Sequence, residues 1–269
     1  GSLINILQRI QHSKGNPSAE RWRKSLCTPK FGFRDRTEKA FSQALGETRR
    51  AANDVTLWDH CYSTASLYKA ALAKMMVEGT FREPIKVGWR FLRITVEGLA
   101  CWGQAHHITE MLGRPRARTK AMERVKPLLE IKYPLGNEIY RDENGSVFVM
   151  PALENPKQHT KFAAEVENLV YNAFVTPSLR QEAGISGEIL PRLVWNVAGA
   201  VRKGKHKENE EVKDDSFASM VTAFGELVSQ STGSRTANTQ KMKEWWQEVE
   251  AQEICTVCGV RPVGYRPKK

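Results

Sequence analysis

The sequence predicts an α+β fold in which helices cover one face of an antiparallel sheet. Residues 87–96 alternate apolar and basic side chains and are rich in β-branched and aromatic types, which is typical of a strand with one buried face. Residues 135–151 contain two short strand-like runs around Asn144 and Gly145, and an Asn-Gly pair is the strongest short-range signal for a hairpin. Residues 157–174 carry apolar side chains at helical spacing.

The segments between and after these elements complete the predicted order. Residues 99–112 are apolar enough for a buried helix, which Gly113 is expected to end as a C-cap. Residues 114–130 predict a second, strongly basic helix, and residues 188–200 predict a last strand. The resulting order, β-α-β-β-α-β, is the ferredoxin-like arrangement of a four-stranded antiparallel sheet with helices on one face.

Helical segments are predicted on both sides of this domain. Residues 57–77 predict a long helix, residues 216–230 a second one and residues 238–251 a third. The predicted buried face of the first consists of Leu57, Cys61, Thr64, Ala65, Tyr68, Ala71, Leu72 and Met75. We divide the chain into a basic N-terminal extension (1–52), a helical segment (53–86), the sheet domain (87–200), a helical appendage with a charged loop (201–253) and a cysteine-containing end (254–269).

The chain is strongly basic, since 41 Lys and Arg residues against 30 Asp and Glu residues give a formal net charge of +11. This excess favours a polyanionic partner, and nucleic acid is the first candidate. The residues expected to meet RNA or protein partners are Arg114, Arg116, Arg118, Lys120, Arg124 and Lys126. No apolar run approaches the ~20 residues of a membrane helix and no secretory signal is visible, so we expect a cytoplasmic protein without membrane contact.

The cysteines form one pattern, near the end of the chain. Cys255 and Cys258, followed by glycine, have the spacing of a zinc knuckle, in which a tight turn directs two thiolates at one ion. Structural zinc needs four ligands, so this pair is half a site, with its second half outside this chain or absent. Cys27, Cys61 and Cys101 are expected to be small buried apolar residues.

Asp59 and His60 lie near the start of the predicted helix that begins at Leu57. A carboxylate beside an imidazole is a candidate pair of metal ligands. The alternative is that Asp59 stabilises the N-terminus of the helix through the helix dipole.

Four stretches resemble one protein family. Residues 58–70, 89–94, 133–150 and 255–262 look like the large, polymerase-like subunit of type III CRISPR effector complexes, in a divergent branch. Each motif alone is weakly specific, but their order along the chain is specific. Together they cover most of residues 56–262.

The resemblance implies a fold and a set of activities. Proteins of that family carry an HD nuclease domain, two ferredoxin-like palm domains, a zinc-binding insertion and a helical domain. Bound to guide RNA and target RNA among other subunits, they make cyclic oligoadenylates from ATP with Mg²⁺ or Mn²⁺ and cut DNA. In this chain, Asp59 and His60 resemble the motif that closes the HD domain, residues 87–200 a palm domain, and Cys255 and Cys258 the start of the zinc insertion. We therefore expect a piece of a longer protein, and Gly1-Ser2 resembles the remnant of a cleaved tag.

The chain departs from the catalytic members of the family at the hairpin. The turn that holds Gly-Gly-Asp-Asp in a catalytic palm contains Asp142 and Glu143 within a different sequence here. Two-metal nucleotidyl transfer needs carboxylates from the first strand and the hairpin to converge, so Glu97, Asp142 and Glu143 are the candidate catalytic residues. Glu97 and Gly98 are the candidate nucleotide-binding residues. We expect an architectural role and little catalysis by this chain alone.

Two alternatives remain open from the sequence. One is a stand-alone nucleotidyl cyclase of the diguanylate-cyclase type that uses Glu97, Asp142 and Glu143. The other is an RNA-binding ferredoxin-like module, which exposed aromatic residues on the open face of the sheet would favour. Phe148 is a candidate for that face, although a core position is the main expectation for it.

Overall fold

The computed structural model describes residues 33–46, 55–79, 88–96, 103, 105, 107–175, 190–196, 215–229 and 256 of the 269-residue chain. Within them the fold is α+β, with helices and one antiparallel sheet. In chain order the elements are α1 (Phe33–Phe41), α2 (Leu57–Glu78), β1 (Trp89–Thr95), α3 (Ile108–Pro127), a π-helical turn (Leu128–Lys132), β2 (Glu138–Asp142), β3 (Gly145–Pro151), α4 (Pro156–Phe174), β4 (Arg192–Trp195) and α5 (Asp215–Ser229).

The four strands form one sheet in the order β2-β3-β1-β4, and every neighbouring pair is antiparallel. β1 pairs with β3 from Trp89 opposite Pro151 to Thr95 opposite Gly145. On its other side β1 pairs with β4, with Leu92 opposite Trp195. The predicted four-stranded antiparallel sheet, its hairpin and its last strand are therefore confirmed.

The core lies between one face of the sheet and helices α3 and α4. Alternate strand residues, Leu92 and Ile94 in β1 and Phe148 and Met150 in β3, point into it and are fully buried. Phe148 is therefore a core residue, as expected, and does not lie on the open face. The helices contribute Ala117, Ala121, Met122 and Val125 from α3 and Phe162, Val166, Val170, Ala173 and Phe174 from α4.

The predicted break at Gly113 is wrong, because α3 continues through this residue without interruption. Gly113 is not among the glycines with positive φ, so it has helical geometry rather than the left-handed geometry of a C-cap. The apolar residues before it, Ile108, Met111 and Leu112, are exposed, whereas burial was expected. The helix is anchored instead by the apolar residues that follow Gly113, which pack on the sheet.

The face of α2 that packs on the domain agrees with the prediction at Ala71 and Met75 and differs from it elsewhere. The predicted residues Cys61, Tyr68 and Leu72 are exposed. The buried residues are Ser66, Ala70, Ala71, Ala73, Lys74 and Met75. The reason is chemical: much of this interface is polar and is satisfied by long-range hydrogen bonds, so apolar periodicity does not reveal it.

Several predicted features lie outside the described residues. These are the basic segment before residue 33, the residues Cys27, Glu97, Gly98, Cys101, Cys255 and Cys258, most of the charged loop at 202–215, and the helix expected at 238–251.

The hairpin turn depends on a close backbone approach at Gly145. Glu143 and Asn144 form the turn, while Gly145 begins β3 and pairs with Thr95. A Cβ atom at position 145 would lie 2.0 Å from the carbonyl oxygen of Ile94, and φ there is +156°. Only glycine fits without displacing the backbone of β1.

Gly145→Ala is expected to lower the free energy of unfolding by about 3 kcal/mol, because the new methyl group collides with backbone atoms of β1. Urea denaturation followed by circular dichroism measures the change. The matched control is Gly113→Ala, where a Cβ meets nothing within 4 Å; inside a helix this change is expected to stabilise by about 0.5–1 kcal/mol. Equal effects at the two positions would contradict the register of β1 and β3.

Candidate functional site

The turn between β2 and β3 lies directly beside the end of β1. The amide of Val96 donates a hydrogen bond to the carbonyl oxygen of Asn144 at 2.8 Å. The sheet thus brings the end of its first strand to the hairpin that carries Asp142 and Glu143. Glu97 and Gly98, the remaining candidate residues at this point of the chain, lie outside the described residues.

The carboxylate of Asp142 is engaged by groups of this chain on both oxygens. Arg93 Nη2 lies 3.1 Å from Asp142 Oδ2, and the amide of Asn144 donates to Asp142 Oδ1 at 2.8 Å. The Arg93 side chain is 3% exposed, whereas Asp142 is 22% exposed. A buried guanidinium beside the carboxylate opposes a divalent cation at the same oxygen.

Glu143, the second candidate of the hairpin, follows Asp142 directly in the chain. It occupies the turn and is exposed. Across the described residues, no group of three or more His, Cys, Asp or Glu side chains is placed to hold a metal ion. Because Glu97, the third candidate, lies outside the described residues, the two-metal arrangement stays a prediction, and we derive no catalytic step through Mg²⁺ or Mn²⁺.

Asp59 and His60 lie in the first turn of α2, where Asp59 belongs to a capping box. Asp59 Oδ2 accepts hydrogen bonds from the amide of Thr56 at 3.1 Å and from its hydroxyl at 2.6 Å, and the amide of Asp59 donates to Thr56 Oγ1 at 3.2 Å. These bonds satisfy donors at the helix start. The imidazole of His60 is exposed.

The six basic residues predicted to meet RNA are distributed unevenly around α3. Arg116 and Lys120 are exposed and, at i and i+4, share one face of the helix. Arg118 and Arg124 are half-buried, and Arg114 is buried. Lys126 pairs with Glu138 Oε2 at 3.2 Å and lies over the ring of Tyr62. The face open to a phosphate backbone is therefore the one that carries Arg116 and Lys120.

A buried polar cluster around Glu130 was not predicted from the sequence. Glu130 belongs to the π-helical turn, and its side chain is 1% exposed. Oε1 accepts hydrogen bonds from Tyr62 Oη at 2.6 Å and from the amide of Glu138 at 2.9 Å, while Oε2 accepts from Arg34 Nη2 at 2.7 Å. One carboxylate thus joins α1, α2 and β2.

The cluster continues along α2 through a second set of bonds. Lys69 Nζ donates to the carbonyl oxygen of Glu130 at 3.0 Å and also to Asn137 Oδ1. Asn137 Nδ2 in turn donates to Ser66 Oγ at 2.9 Å. Each buried polar group named here has a partner, as a stable buried network requires.

The environment of the cluster shifts the pKa of Tyr62 and of Glu138. Burial raises the pKa of Tyr62, and the negative charge of Glu130 adds to the increase. For Glu138, burial alone would raise the pKa, but the hydrogen bond from Arg141 and the charges of Arg141 and Lys126 outweigh it and hold the pKa below its usual range. Tyr62 is therefore a hydrogen-bond donor, and Glu138 is ionised, at neutral pH.

The second face of the sheet, opposite the core, carries aromatic side chains that α5 covers. The ring of Phe224 in α5 lies 5.7 Å from the ring of Phe91 and 5.6 Å from that of Tyr140, both edge-on. The carbonyl oxygen of Leu227 accepts a hydrogen bond from Arg93 Nη1 at 3.2 Å. The aromatic residues of this face are thus in contact with the chain's own helix.

Comparison of the chain with protein-family models, with curated proteins and with solved structures found no match. None of the helices that the structure describes combines the length and the apolar character needed to cross a membrane.

Glu130→Gln is expected to lower the free energy of unfolding by about 3 kcal/mol, because Arg34 loses its charged partner inside the protein. Urea denaturation measures the loss, and hydrogen exchange is expected to show faster opening of α1. Glu123→Gln on the exposed side of α3 is the control and is expected to change stability by less than about 0.5 kcal/mol. Equal effects would contradict a network centred on Glu130.

Glu138 is expected to make folding sensitive to acid. Because its folded pKa lies below the unfolded value of about 4.3, its contribution is present above that pH and is lost as pH falls through the folded pKa. Thermal melts between about pH 6 and pH 3 should therefore show a shallower loss of Tm for Glu138→Gln than for the wild type. Glu143→Gln in the exposed turn is the control, and parallel curves for the wild type and Glu138→Gln would exclude this contribution.

Proposed function

We propose that this chain supplies a ferredoxin-like palm domain to a cytoplasmic RNA-guided effector of the type III CRISPR kind, where it contacts RNA and neighbouring subunits. Three features support a ferredoxin-like domain: the element order β1-α3-β2-β3-α4-β4, the sheet order β2-β3-β1-β4, and the packing of α3 and α4 on the same face of the sheet. The observation that carries the palm assignment is the end of β1 lying beside the β2–β3 turn, held by the bond between Val96 and Asn144.

The proposed role is architectural rather than catalytic. The Arg93–Asp142 ion pair supports this role, because Asp142, a candidate catalytic carboxylate, is already paired with a buried cation. Synthesis of cyclic oligoadenylates from ATP, cleavage of DNA and zinc binding that begins at Cys255 and Cys258 would then belong to the complete protein and its complex.

RNA contact is assigned to the exposed face of α3. Arg116 and Lys120 lie one helical turn apart and project from the side of α3 opposite its core residues. Two cations at this spacing suit neighbouring phosphates of one strand, and the net charge of +11 adds a long-range attraction.

Salt-dependent RNA binding tests this assignment. The double variant Arg116→Ala/Lys120→Ala is expected to bind labelled single-stranded RNA more weakly, and its plot of log K against log salt should be shallower by about 1.4, because two phosphate contacts are lost. Fluorescence anisotropy across a salt series measures both quantities.

The matched control removes the same charge elsewhere. Lys157 and Lys161 are exposed at i and i+4 on α4, and Lys157→Ala/Lys161→Ala is expected to leave the slope close to that of the wild type. Wild-type protein without salt-sensitive RNA affinity, or equal slopes for the two double variants, would overturn the assignment to α3.

A nucleotidyl cyclase is the second candidate, because the same approach of β1 to the hairpin places Asp142 and Glu143 at the end of the first strand. ATP and GTP incubated with Mg²⁺ or Mn²⁺ separate the two candidates. The architectural role predicts no cyclic or linear dinucleotide product by mass spectrometry. Turnover of ATP or GTP by the wild type that disappears in Asp142→Ala would contradict the architectural role and support the cyclase.

A further inference from the structure

The second face of the sheet has the chemistry of a surface for unpaired bases. Two of its side chains, Phe91 on β1 and Tyr140 on β2, stand on either side of β3, and the ring of Phe224 lies between them. Single-stranded nucleic acid is bound in this way by sheets whose aromatic rings stack on successive bases. The ring of Phe224 fills the space between these two rings and contacts both of them edge-on.

Arg93 gives the same face an incompletely satisfied cation. Its Nη1 donates to the carbonyl oxygen of Leu227 near the C-terminal end of α5, and its Nη2 pairs with Asp142. Its Nε is buried and finds no hydrogen-bond partner among the described residues. A buried N–H group without a partner costs free energy, so α5 covers this face without satisfying all of it.

The described part of α5 is held by few contacts. Among residues 221–229, only Leu227 is buried, while Phe224 is half-buried and Val221 is 52% exposed. Within residues 221–229, Phe224 and Leu227 contact the sheet, the latter through the bond from Arg93. Among residues 221–229, a ligand that displaced the helix would have to replace the burial of Leu227 and the partial burial of Phe224.

We propose that the second face of the sheet binds single-stranded RNA and that α5 is a built-in competitor for it, with Phe224 in the position of a base. When α5 leaves, Phe91 and Tyr140 are free to stack on bases, and Arg93 has donors available for a phosphate or a base edge. Duplex RNA does not suit the surface, because its bases are stacked on each other and present no free ring face.

This surface is separate from the basic face of α3, although both address RNA. Different measurements distinguish the two surfaces. Variants of α3 change the salt dependence of RNA binding, whereas variants of α5 change the affinity for single-stranded RNA by uncovering the aromatic rings. If the α3 variant keeps the wild-type salt dependence while the α5 variant still binds RNA more tightly, the assignment of RNA contact to α3 is wrong. The present inference then still holds.

Phe224→Asp tests the competition directly. It removes the ring between Phe91 and Tyr140 and places a charge at the contact, so affinity for a labelled oligouridine is expected to rise about tenfold, or about 1.4 kcal/mol. Adding Phe91→Ala and Tyr140→Ala to this variant is expected to abolish the gain. Val221→Asp, which puts the same charge on an exposed position of α5, is the matched control and is expected to leave affinity at the wild-type level.

Three results would overturn the proposal. The first is unchanged RNA affinity of Phe224→Asp in a protein whose circular dichroism matches the wild type. The others are a gain in affinity that survives the loss of Phe91 and Tyr140, and an equal gain in affinity for duplex RNA. A measurement on the unaltered protein covers the case in which the variant fails to fold. Saturating oligouridine is expected to accelerate hydrogen exchange of residues 221–229, and unchanged exchange with RNA bound would exclude displacement of α5.

Discussion

The antiparallel pairing of β1 with β3 is the constraint on which the rest of this structure depends. Its register places Leu92 and Ile94 beneath the helices and directs Phe91 and Arg93 to the opposite face. It also ends with Thr95 against Gly145, where the backbones approach too closely for any other residue. A shift by one residue would exchange the two faces and bury arginine among the core side chains.

A second constraint is the Glu130 cluster, which attaches α1 and α2 to the sheet domain through charge and hydrogen bonds. Burying a carboxylate is costly unless its oxygens are fully engaged, and here Tyr62, Arg34 and a backbone amide engage them. The π-helical turn is part of this arrangement, because Glu130 lies within it while Leu129 beside it enters the core. Specific polar pairing therefore helps to position both N-terminal helices, alongside the apolar burial of α2.

The two constraints separate the functional surfaces. Helices α3 and α4 occupy one face of the sheet, whereas the hairpin carboxylate Asp142 and its partner Arg93 lie on the other face, under the end of α5. The exposed basic side of α3 points away from the core and is independent of that face. One small domain thus presents a cationic helix and a covered aromatic surface, and the proposals for RNA contact rest on this division.

The sequence by itself determined the element types that alternation and helical spacing encode: the strand around Phe91, the β2–β3 hairpin, α4, α5 and the antiparallel sheet. It placed the hairpin turn at Asn144-Gly145, one residue after the actual turn at Glu143 and Asn144. It misassigned Gly113 and the buried face of α2, because local patterns count apolar residues and do not register tertiary packing. Only the tertiary structure decided that Tyr62 meets Glu130, 68 residues away, and that Arg93 reaches Leu227, 134 residues away. Buried polar pairs of this kind depend on distant partners, and no local period in a sequence carries that information.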